Sequence, residues 1–417
     1  MSKTLGNVVD PMEVIAGCTL DDLVSKLRSG NLDPREVEKA VAGKKLDFPT
    51  GIPECGADAL RFGLLAYTLQ GRDVNLDINR VVGYRQFCNK LWNATRFALT
   101  HLAPEKYTPT AHVADIVAEL TSGATTLAPR NAWILSRLSF AINAANDHMA
   151  AYSFASVCSV LHHFWLHELC DVYLELVKPG LYDDAATAAD KRQARLTLYV
   201  CLEYGLRLLH PLMPFVTEEL WQHLPGRGFA HAGKAEPPSI MLVSYPRGVN
   251  WANEDVEVKM ATAQVVVTAA RAVRASANIS RTKKCEVFVR ATDAATRAQV
   301  AAMSADICTL ASGASLTVLE EGVEAPAGCA TEVVSNELSV LVQLRGMVDF
   351  AAESVKITKK LAKLDKQIAG VAKKLANTKF TASAPAEVLA KEQEKMAALN
   401  GEVAQLKATM AQYAALA

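Results

Sequence analysis

The sequence has few of the features that restrict a protein to one class. Its nine cysteines are an odd number and include no C-x-x-C pair. This argues against a disulfide framework or a zinc knuckle and favours reduced thiols in a cytosol-like compartment. No apolar run reaches the roughly 18 residues of a transmembrane helix, and the N-terminus does not resemble a signal peptide. We therefore expect neither a membrane span nor a secreted disulfide scaffold.

Net charge is also absent, because 44 Lys and Arg residues balance 44 Asp and Glu residues. A nucleic-acid or membrane partner would therefore have to bind a local charged surface. Half of the 417 residues are apolar, which is sufficient for a large core. The length suggests roughly three domains of ordinary size.

Hydrophobic periodicity predicts a mainly α-helical chain. Residues 1–80 are rich in loops. A helix is expected to begin at Asp33-Pro34, and a second one, capped by Asp58, follows it. Residues 81–225 are helical in pattern almost throughout, which indicates a helical bundle. The helix at 84–101 has one apolar stripe, whose members recur every three or four residues: Tyr84, Phe87, Leu91, Ala94, Ala98 and Leu102.

The character of the chain changes after the bundle. Residues 226–250 read as a linker rich in Gly and Pro, with one short strand-like run, SIMLVSYP. In residues 251–350, a helix at about 253–276 precedes three β-like runs, CEVFVR, SLTVLE and LSVLVQL. This part is predicted to form a small α/β unit.

The last 67 residues have the most regular pattern in the chain. Apolar residues are spaced 4-3-4-3-4 and then, after a Pro-containing turn, 3-4-3-4. Such heptads predict two helices that pair as an antiparallel coiled-coil hairpin. The apolar positions are Ile357, Leu361, Leu364, Ile368, Val371 and Leu375, followed by Met396, Leu399, Val403, Leu406 and Met410.

Six short motifs and the terminal heptads share a resemblance. The motifs are MSKTLGNVVDP, GNLDPREVEKA, FPTGIPECGADALRF, GYRQFCNKLWNATRF, WILSRL and LHPLMPFVTEELWQHLP. In this order they resemble the C-terminal part of the valyl-tRNA synthetase family, in its eukaryote-like form. The first motif is similar to the Lys-Met-Ser-Lys-Ser loop of class I aminoacyl-tRNA synthetases.

The resemblance implies a division into six segments. Residues 1–15 would be a remnant of the catalytic domain's signature loop, 16–80 connector helices, and 81–225 an anticodon-binding helical bundle. Residues 226–250 would be a linker, 251–350 the small α/β unit, and 351–417 a coiled-coil tRNA-binding arm. The expected fold class is therefore mainly α.

The resemblance assigns Met1, Ser2, Lys3 and Thr4 to the ATP loop. Lys3 matches the family's second lysine, which stabilises charge on ATP phosphates. The first lysine is missing, and Thr4 stands where the family has serine. The family's nucleotide-binding and editing domains lie upstream of this loop. We expect a vestigial Lys3 and no cofactor bound by this chain, whereas the full-length parent would use ATP and Mg²⁺.

The helix at 84–101 carries polar side chains away from its apolar stripe, and the family's bundle binds the anticodon. Guanidinium and aromatic groups stack on unpaired bases, and amides read base edges. Alternatively, this is a solvated basic face, with Trp92 packed on a neighbouring helix. The candidate tRNA contacts are Arg85, Asn89, Lys90, Trp92, Asn93 and Arg96.

The first heptad helix is rich in lysine, and Asp365 is its one acid between residues 356 and 379. One-sided charge suits backbone phosphates, and the family's coiled coil packs on the outer corner of the tRNA. The alternative is a solubilising face. The candidate contacts are Lys356, Lys359, Lys360, Lys363, Lys366, Lys373 and Lys374, and Lys379 ends the run.

Two other groups of titratable residues are weaker candidates for a functional site. His163, His167 and Cys170 share a helical face, but the apolar residues around them favour a core with satisfied histidines over a zinc site. Glu218 and Glu219 are adjacent, so they point in different directions and read as charges at a helix start. We predict no metal site.

The leading hypothesis is a C-terminal, tRNA-binding portion of a valine–tRNA ligase that does not catalyse by itself. A stand-alone RNA-binding or scaffold protein derived from a synthetase is the first alternative. An enzyme half that assembles with a separate catalytic chain is the second. We expect a cytoplasmic protein, and the compartment of its tRNA stays open.

Overall fold

The computed structural model describes residues 9–30, 32–68, 76–103, 113–122, 127–227, 237–320, 323–347, 350–376 and, within 391–410, residues 391, 393–397, 399–401, 403, 407 and 410. The chain divides into two compact units, Met1–Glu257 and Val258–Ala417. The described parts are mainly helical, with one small sheet in the second unit. The predicted fold class is confirmed, while the six-segment division stays a prediction.

The first unit is a bundle of helices. Its elements are α1 (Pro11–Ile15), α2 (Leu20–Ser29), α3 (Pro34–Asp47), α4 (Ala57–Ala66), α5 (Ile78–Leu99), α6 (Val113–Thr121), α7 (Pro129–Ala150), α8 (Phe154–His163), a π-helix (Phe164–Tyr173), α9 (Leu174–Tyr182), α10 (Ala188–Leu209), α11 (Pro214–Gln222) and a 3₁₀ turn (Ile240–Leu242). Helix α12 (Glu254–Ser276) begins in this unit and continues into the second.

Helix α10 lies at the centre of the bundle. Every residue from Leu196 to Leu209 is buried, as expected for a helix that is covered on all sides. Gly205 permits this packing, because a Cβ at that position would lie 2.8 Å from the indole ring of Trp165. The Trp165 indole donates a hydrogen bond to the Gly205 carbonyl at 3.3 Å. The π-helix is thereby fixed directly against the backbone of α10.

The predicted N-terminal caps of two helices, α3 and α4, can be compared with the structure. Asp33 caps α3 as predicted, accepting a hydrogen bond from the Arg35 amide at 2.8 Å. Helix α4 instead starts after Gly56, whose φ is 81°, a conformation that suits glycine. The prediction that Asp58 caps its own helix is wrong.

Asp58 caps a different helix. Its buried carboxylate accepts hydrogen bonds from the amides of Phe215 at 3.2 Å and Val216 at 2.6 Å. These amides belong to the first turn of α11, where Pro214 is the first residue and the backbone donors have no partner within the helix. Asp58 thus joins α4 to α11 across 157 residues of sequence.

The stretch from Phe154 to Tyr182 forms three consecutive segments, α8, the π-helix and α9, and α9 continues through Pro179 to Tyr182. Apolar periodicity did not reveal the π-helix. His163, the last residue of α8, lies 3.5 Å from the carboxylate of Glu168 in the π-helix, five residues further along.

The prediction of a strand-like run at residues 239–246 is wrong. The run contains a 3₁₀ turn and is not part of the sheet that the structure describes. Side chains of the bundle satisfy its backbone instead. Arg207 donates to the Ser244 carbonyl, and Asn146 donates to the Pro246 carbonyl at 2.8 Å. The buried guanidinium of Arg207 needs the Ser244 acceptor, and Asn146 binds the Pro246 carbonyl, so the run packs on the bundle and pairs with no strand of the described sheet.

The second unit contains a four-stranded sheet in the order β2-β1-β4-β3. Strand β1 (Cys285–Ala291) pairs in parallel with β2 (Gly313–Leu319) and antiparallel with β4 (Leu338–Gln343). Val289 lies opposite Val318 on one side and Val340 on the other. The crossover between β1 and β2 contains α13 (Ala294–Ala302) and α14 (Ser304–Ala311), as a parallel pair requires.

Three of the four strands were predicted. The fourth, β3 (Cys329–Val333), pairs antiparallel with β4 at the edge of the sheet. It has no buried residue, so it lacks the apolar alternation by which a strand is recognised.

The arm begins with α15 (Phe350–Leu375). Leu364 and Val371 of the predicted heptad seam are buried. The described residues between 391 and 410 are helical, and the Thr358 hydroxyl lies 3.8 Å from the Met410 sulfur. The two segments therefore meet side by side near the base of the arm. Much of the second predicted helix lies outside the described residues, and the coiled coil stays a prediction.

No helix in the described ranges combines the length and apolarity that crossing a membrane requires.

We expect that Asp58→Ala destabilises the first unit by about 2 kcal/mol, because two amide donors of α11 lose a buried acceptor. The amides of Phe215 and Val216 should exchange hydrogen markedly faster, as measured by native-state hydrogen exchange. Asp33→Ala removes a solvent-exposed cap and is the matched control, with an expected loss of about 0.5–1 kcal/mol that leaves α11 unaffected. Unchanged protection of Phe215 and Val216 in Asp58→Ala would contradict this role.

Candidate nucleic-acid interface

Helix α5 has one buried face and one exposed face. Asp77 caps its start, accepting a hydrogen bond from the Asn79 amide at 2.9 Å. Phe87, Leu91 and Ala94 are buried, which confirms the predicted apolar stripe. All six candidate tRNA contacts lie on the exposed part of the helix: Arg85, Asn89, Lys90, Trp92, Asn93 and Arg96.

The Trp92 side chain is 43% exposed. Its indole therefore presents a substantial surface to solvent, whereas a tryptophan packed between helices is nearly covered. Trp165 and Trp221 of the same bundle are fully buried. An exposed aromatic ring beside basic side chains is the arrangement on which an unpaired base can stack.

The cations of this face have no carboxylate partner among the residues that the structure describes. Within the described ranges, no carboxylate lies within ion-pair distance of Arg85, Lys90 or Arg96. Their charges are therefore available to an anionic ligand. Nothing tests the individual contacts, which stay predictions.

The π-helix lies beside α5 and carries His167 and Cys170, and His163 ends α8 immediately before it. The predicted core position of the two histidines is wrong, because both side chains are more than half exposed. Each lies near a carboxylate at 3.5 Å, His163 near Glu168 and His167 near Asp171. The π-helix turns the histidines outward while Phe164 and Trp165 fill the core.

The prediction of no metal site stays a prediction. Burial raises the pKa of the Cys170 thiol to about 12. Among the residues described, no group of His, Cys, Asp and Glu has the arrangement of a metal site.

Glu218 and Glu219 point in different directions, as predicted. Glu218 accepts hydrogen bonds from Gln222 at 2.6 Å and from Ser239 at 2.7 Å. Glu219 lies 3.3 Å from His223. Both carboxylates therefore stabilise α11 and the chain that follows it, and they do not form an acid–base pair.

The lysines of α15 form a second basic surface. Leu364 and Val371 mark the buried side of the helix. At 100° per residue, the lysines from Lys359 to Lys374 fall within an arc of about 140° that adjoins the buried side, and they extend over about 22 Å along the helix. The exposed members are Lys359, Lys360, Lys363, Lys366, Lys373 and Lys374.

The one acid of this segment does not interrupt the surface, since Asp365 falls outside the arc. A coiled coil that is merely solvated usually mixes charges of both signs. The arrangement thus fits an extended anion such as a nucleic-acid backbone. The Lys356 side chain and Lys379 lie outside the described residues.

The signature-loop residues Met1, Ser2, Lys3 and Thr4 also lie outside the described residues. Their assignment to an ATP loop stays a prediction.

Three family models match the chain. The model described as tRNA synthetases class I (I, L, M and V) matches residues 1–77. The anticodon-binding domain of tRNA ligase matches residues 131–289, and the valyl tRNA synthetase tRNA binding arm matches residues 349–414. Helix α5 precedes the second match, whereas α15 lies within the third.

Similar proteins are named valine–tRNA ligases. The Mus musculus protein is 44% identical over 405 residues, which is 97% of this chain and 31% of the relative. The Caenorhabditis elegans protein is 38% identical over 423 residues, which is 100% of this chain and 39% of the relative. A mitochondrial Arabidopsis thaliana protein is 41% identical over 401 residues, 95% of this chain and 35% of the relative.

The chain thus spans about a third of the length of these relatives. The order of the three matched models agrees with the order of the motifs in the sequence, and the alignments extend over nearly all of the chain. On this evidence the chain belongs to the valyl-tRNA synthetase family and corresponds to the C-terminal region of that family.

Proposed function

We propose that this chain is the tRNA-binding portion of a valine–tRNA ligase and that it holds its tRNA through two surfaces. The observation that carries the proposal is the one-sided lysine surface of α15, which lies within the match to a tRNA-binding arm. The exposed face of α5 is the second surface, packed beside the anticodon-binding match.

The two surfaces differ in chemistry, so they serve different purposes. Lysines spread along about 22 Å of a helix suit successive backbone phosphates, whose contacts position the tRNA without reading its sequence. Arg85, Trp92 and Asn93 combine a guanidinium, an aromatic ring and an amide, which stack on exposed bases and bond to their edges. The α15 surface therefore supplies affinity, and the α5 surface supplies discrimination.

The activity of the whole enzyme is part of the proposal. The parent would attach valine to its tRNA with ATP and Mg²⁺, and Lys3 would stabilise charge on the phosphates. Because Met1–Thr4 lie outside the described residues, we derive no activation step from this structure. We propose a cytoplasmic parent, although relatives include mitochondrial proteins. A separate catalytic half is a candidate partner.

We expect that the 417-residue chain tested alone shows no valine-dependent pyrophosphate exchange, because positioning of ATP supplies most of this catalysis and the sequence contains no G-x-G-x-x-G or Walker motif. The assay contains valine, ATP, Mg²⁺ and tRNA. The control is Lys3→Ala. Exchange by the unmodified chain above the level of this variant would show that the chain is catalytic by itself.

The lysine surface should determine the salt dependence of tRNA binding. In Lys359→Gln/Lys363→Gln/Lys366→Gln, the slope of log K against log salt should fall in magnitude by about two units, at roughly 0.7–0.9 per phosphate contact. Binding of valine tRNA and of an anticodon-swapped tRNA should weaken equally. The measurement is a binding titration at several salt concentrations.

The matched control removes three cations from the exposed surface of α3, in Arg35→Gln/Lys39→Gln/Lys45→Gln. This control changes net charge by the same amount and should leave the salt slope unaltered. If the α15 variant also kept its slope, the lysines would be a solubilising surface.

The α5 surface should determine selectivity. Arg85→Gln/Arg96→Gln should reduce the preference for valine tRNA over the anticodon-swapped tRNA by about tenfold or more, because each lost base contact costs on the order of 1 kcal/mol. The preference is the ratio of the two dissociation constants at one salt concentration.

Both arginines are exposed, so the free energy of unfolding should change by less than about 0.5 kcal/mol. Leu91→Ala, on the buried face of the same helix, should instead lose about 2–5 kcal/mol. An unchanged preference in the folded arginine variant would place the anticodon contact on another surface.

A further inference from the structure

The second unit carries a basic loop between α12 and β1. Residues 277–284 read ANISRTKK and contain no acid. Arg281, Lys283 and Lys284 are all exposed. None of the three lies within ion-pair distance of a carboxylate in the described part of the chain. The loop thus presents three uncompensated positive charges.

A buried arginine fixes the backbone of this loop. Arg274 is 4% exposed, and its guanidinium donates to the Ser280 carbonyl at 2.9 Å and to the Lys283 carbonyl at 2.7 Å. It also donates to the Ser312 carbonyl, which precedes β2, at 3.0 Å. A planar group with several donors holds separate carbonyls in a defined geometry. Arg274 of α12 therefore holds the loop backbone and the residue before β2 together.

Because Arg274 fixes the loop backbone, the charged side chains of the loop extend from a fixed position. The guanidinium of Arg274 donates its hydrogen bonds to backbone carbonyls inside the protein, so it does not bind a ligand itself. The neighbouring side chains of the loop point to solvent, and the Ser280 and Thr282 hydroxyls lie 2.9 Å apart. The loop thus combines fixed cations with two hydroxyls, which are both groups that contact phosphate oxygens.

The loop also adjoins the start of the arm. The Lys283 ammonium donates to the Met347 carbonyl at 3.3 Å. Met347 ends the turn that follows β4, and the exposed Arg345 lies in the same turn. Helix α15 begins three residues later, at Phe350. The loop therefore contacts the turn that leads into the arm, although Asp349 and Glu353 stand between Arg345 and the first lysine of α15 in the sequence.

We propose that the loop from Ser280 to Lys284 is a further binding site for the phosphodiester backbone of a structured RNA, separate from the lysine surface of the arm. The inference rests on the proposed function, because it adds a phosphate-binding site on the α/β unit to the same RNA-binding chain. The loop contains no aromatic residue for base stacking, so its contacts are to phosphate and do not read sequence.

The test is a salt titration of tRNA binding by Arg281→Gln/Lys284→Gln in the full chain. Neither side chain makes a hydrogen bond in the described part of the structure, so this variant leaves the Arg274 anchor intact. The slope of log K against log salt should fall in magnitude by about 1.5 units, at roughly 0.7–0.9 for each contact. Affinity should fall equally for valine tRNA and the anticodon-swapped tRNA.

The control is Arg35→Gln/Lys45→Gln on α3, which removes two exposed cations from the first unit. An equal fall of the slope in this control would overturn the loop site, because the effect would then be one of net charge. A loop variant with an unchanged slope, while the α15 lysine variant loses its slope, would overturn this inference alone. If the unmodified chain does not bind tRNA, the proposed function itself fails.

Discussion

The bundle depends on how charged groups are accommodated inside it, within the buried part of helix α10 from Leu196 to Leu209. Glu203 and Arg207 of this helix are both buried, and buried charges are costly unless they are paired. The Glu203 carboxylate accepts a hydrogen bond from the Trp221 indole at 2.9 Å and lies 3.6 Å from the Arg207 guanidinium. Arg207 donates in turn to the Ser244 carbonyl at 3.0 Å. These contacts fix α11 and the chain after it to α10, so the polar interior determines where the surface helices lie.

Two arginines stabilise the fold through bonds inside the protein. Arg137 donates to Glu168 at 2.6 Å and to Glu257 at 3.0 Å, which joins α7 to the π-helix and to the start of α12. Arg274 likewise bonds to carbonyls within the second unit. By contrast, Arg85 and Arg96 are exposed, and no carboxylate of the described residues lies within ion-pair distance of them. Their charges are therefore accessible to a polyanion.

Patterns among residues that are close in sequence predicted most helices and strands. Contacts between segments that are far apart in sequence could not be predicted from such patterns. The stripe on α5, the heptads of α15 and the Asp33 cap follow from residues near one another in sequence. The acceptor role of Asp58 depends on Phe215, far along the chain, so no local pattern reveals it. The π-helix could not be predicted, because the spacing of its apolar residues is also compatible with an α-helix. For the candidate interface, the sequence identified which polar residues are exposed. It did not identify the loop at 280–284, because the fixed geometry of that loop comes from Arg274 and the sheet.

The central claim is that tRNA lies against the α5 face and the arm lysines together. Ultraviolet crosslinking of the chain to tRNA, followed by mass spectrometry of the crosslinked peptides, tests it most directly. The account predicts crosslinks to peptides that contain Trp92 and Lys359–Lys374, with the Trp92 peptide joined to anticodon-loop nucleotides. Peptides from α3 should stay unmodified. Crosslinks confined to other helices, or a Trp92 peptide joined only to nucleotides outside the anticodon loop, would contradict the account.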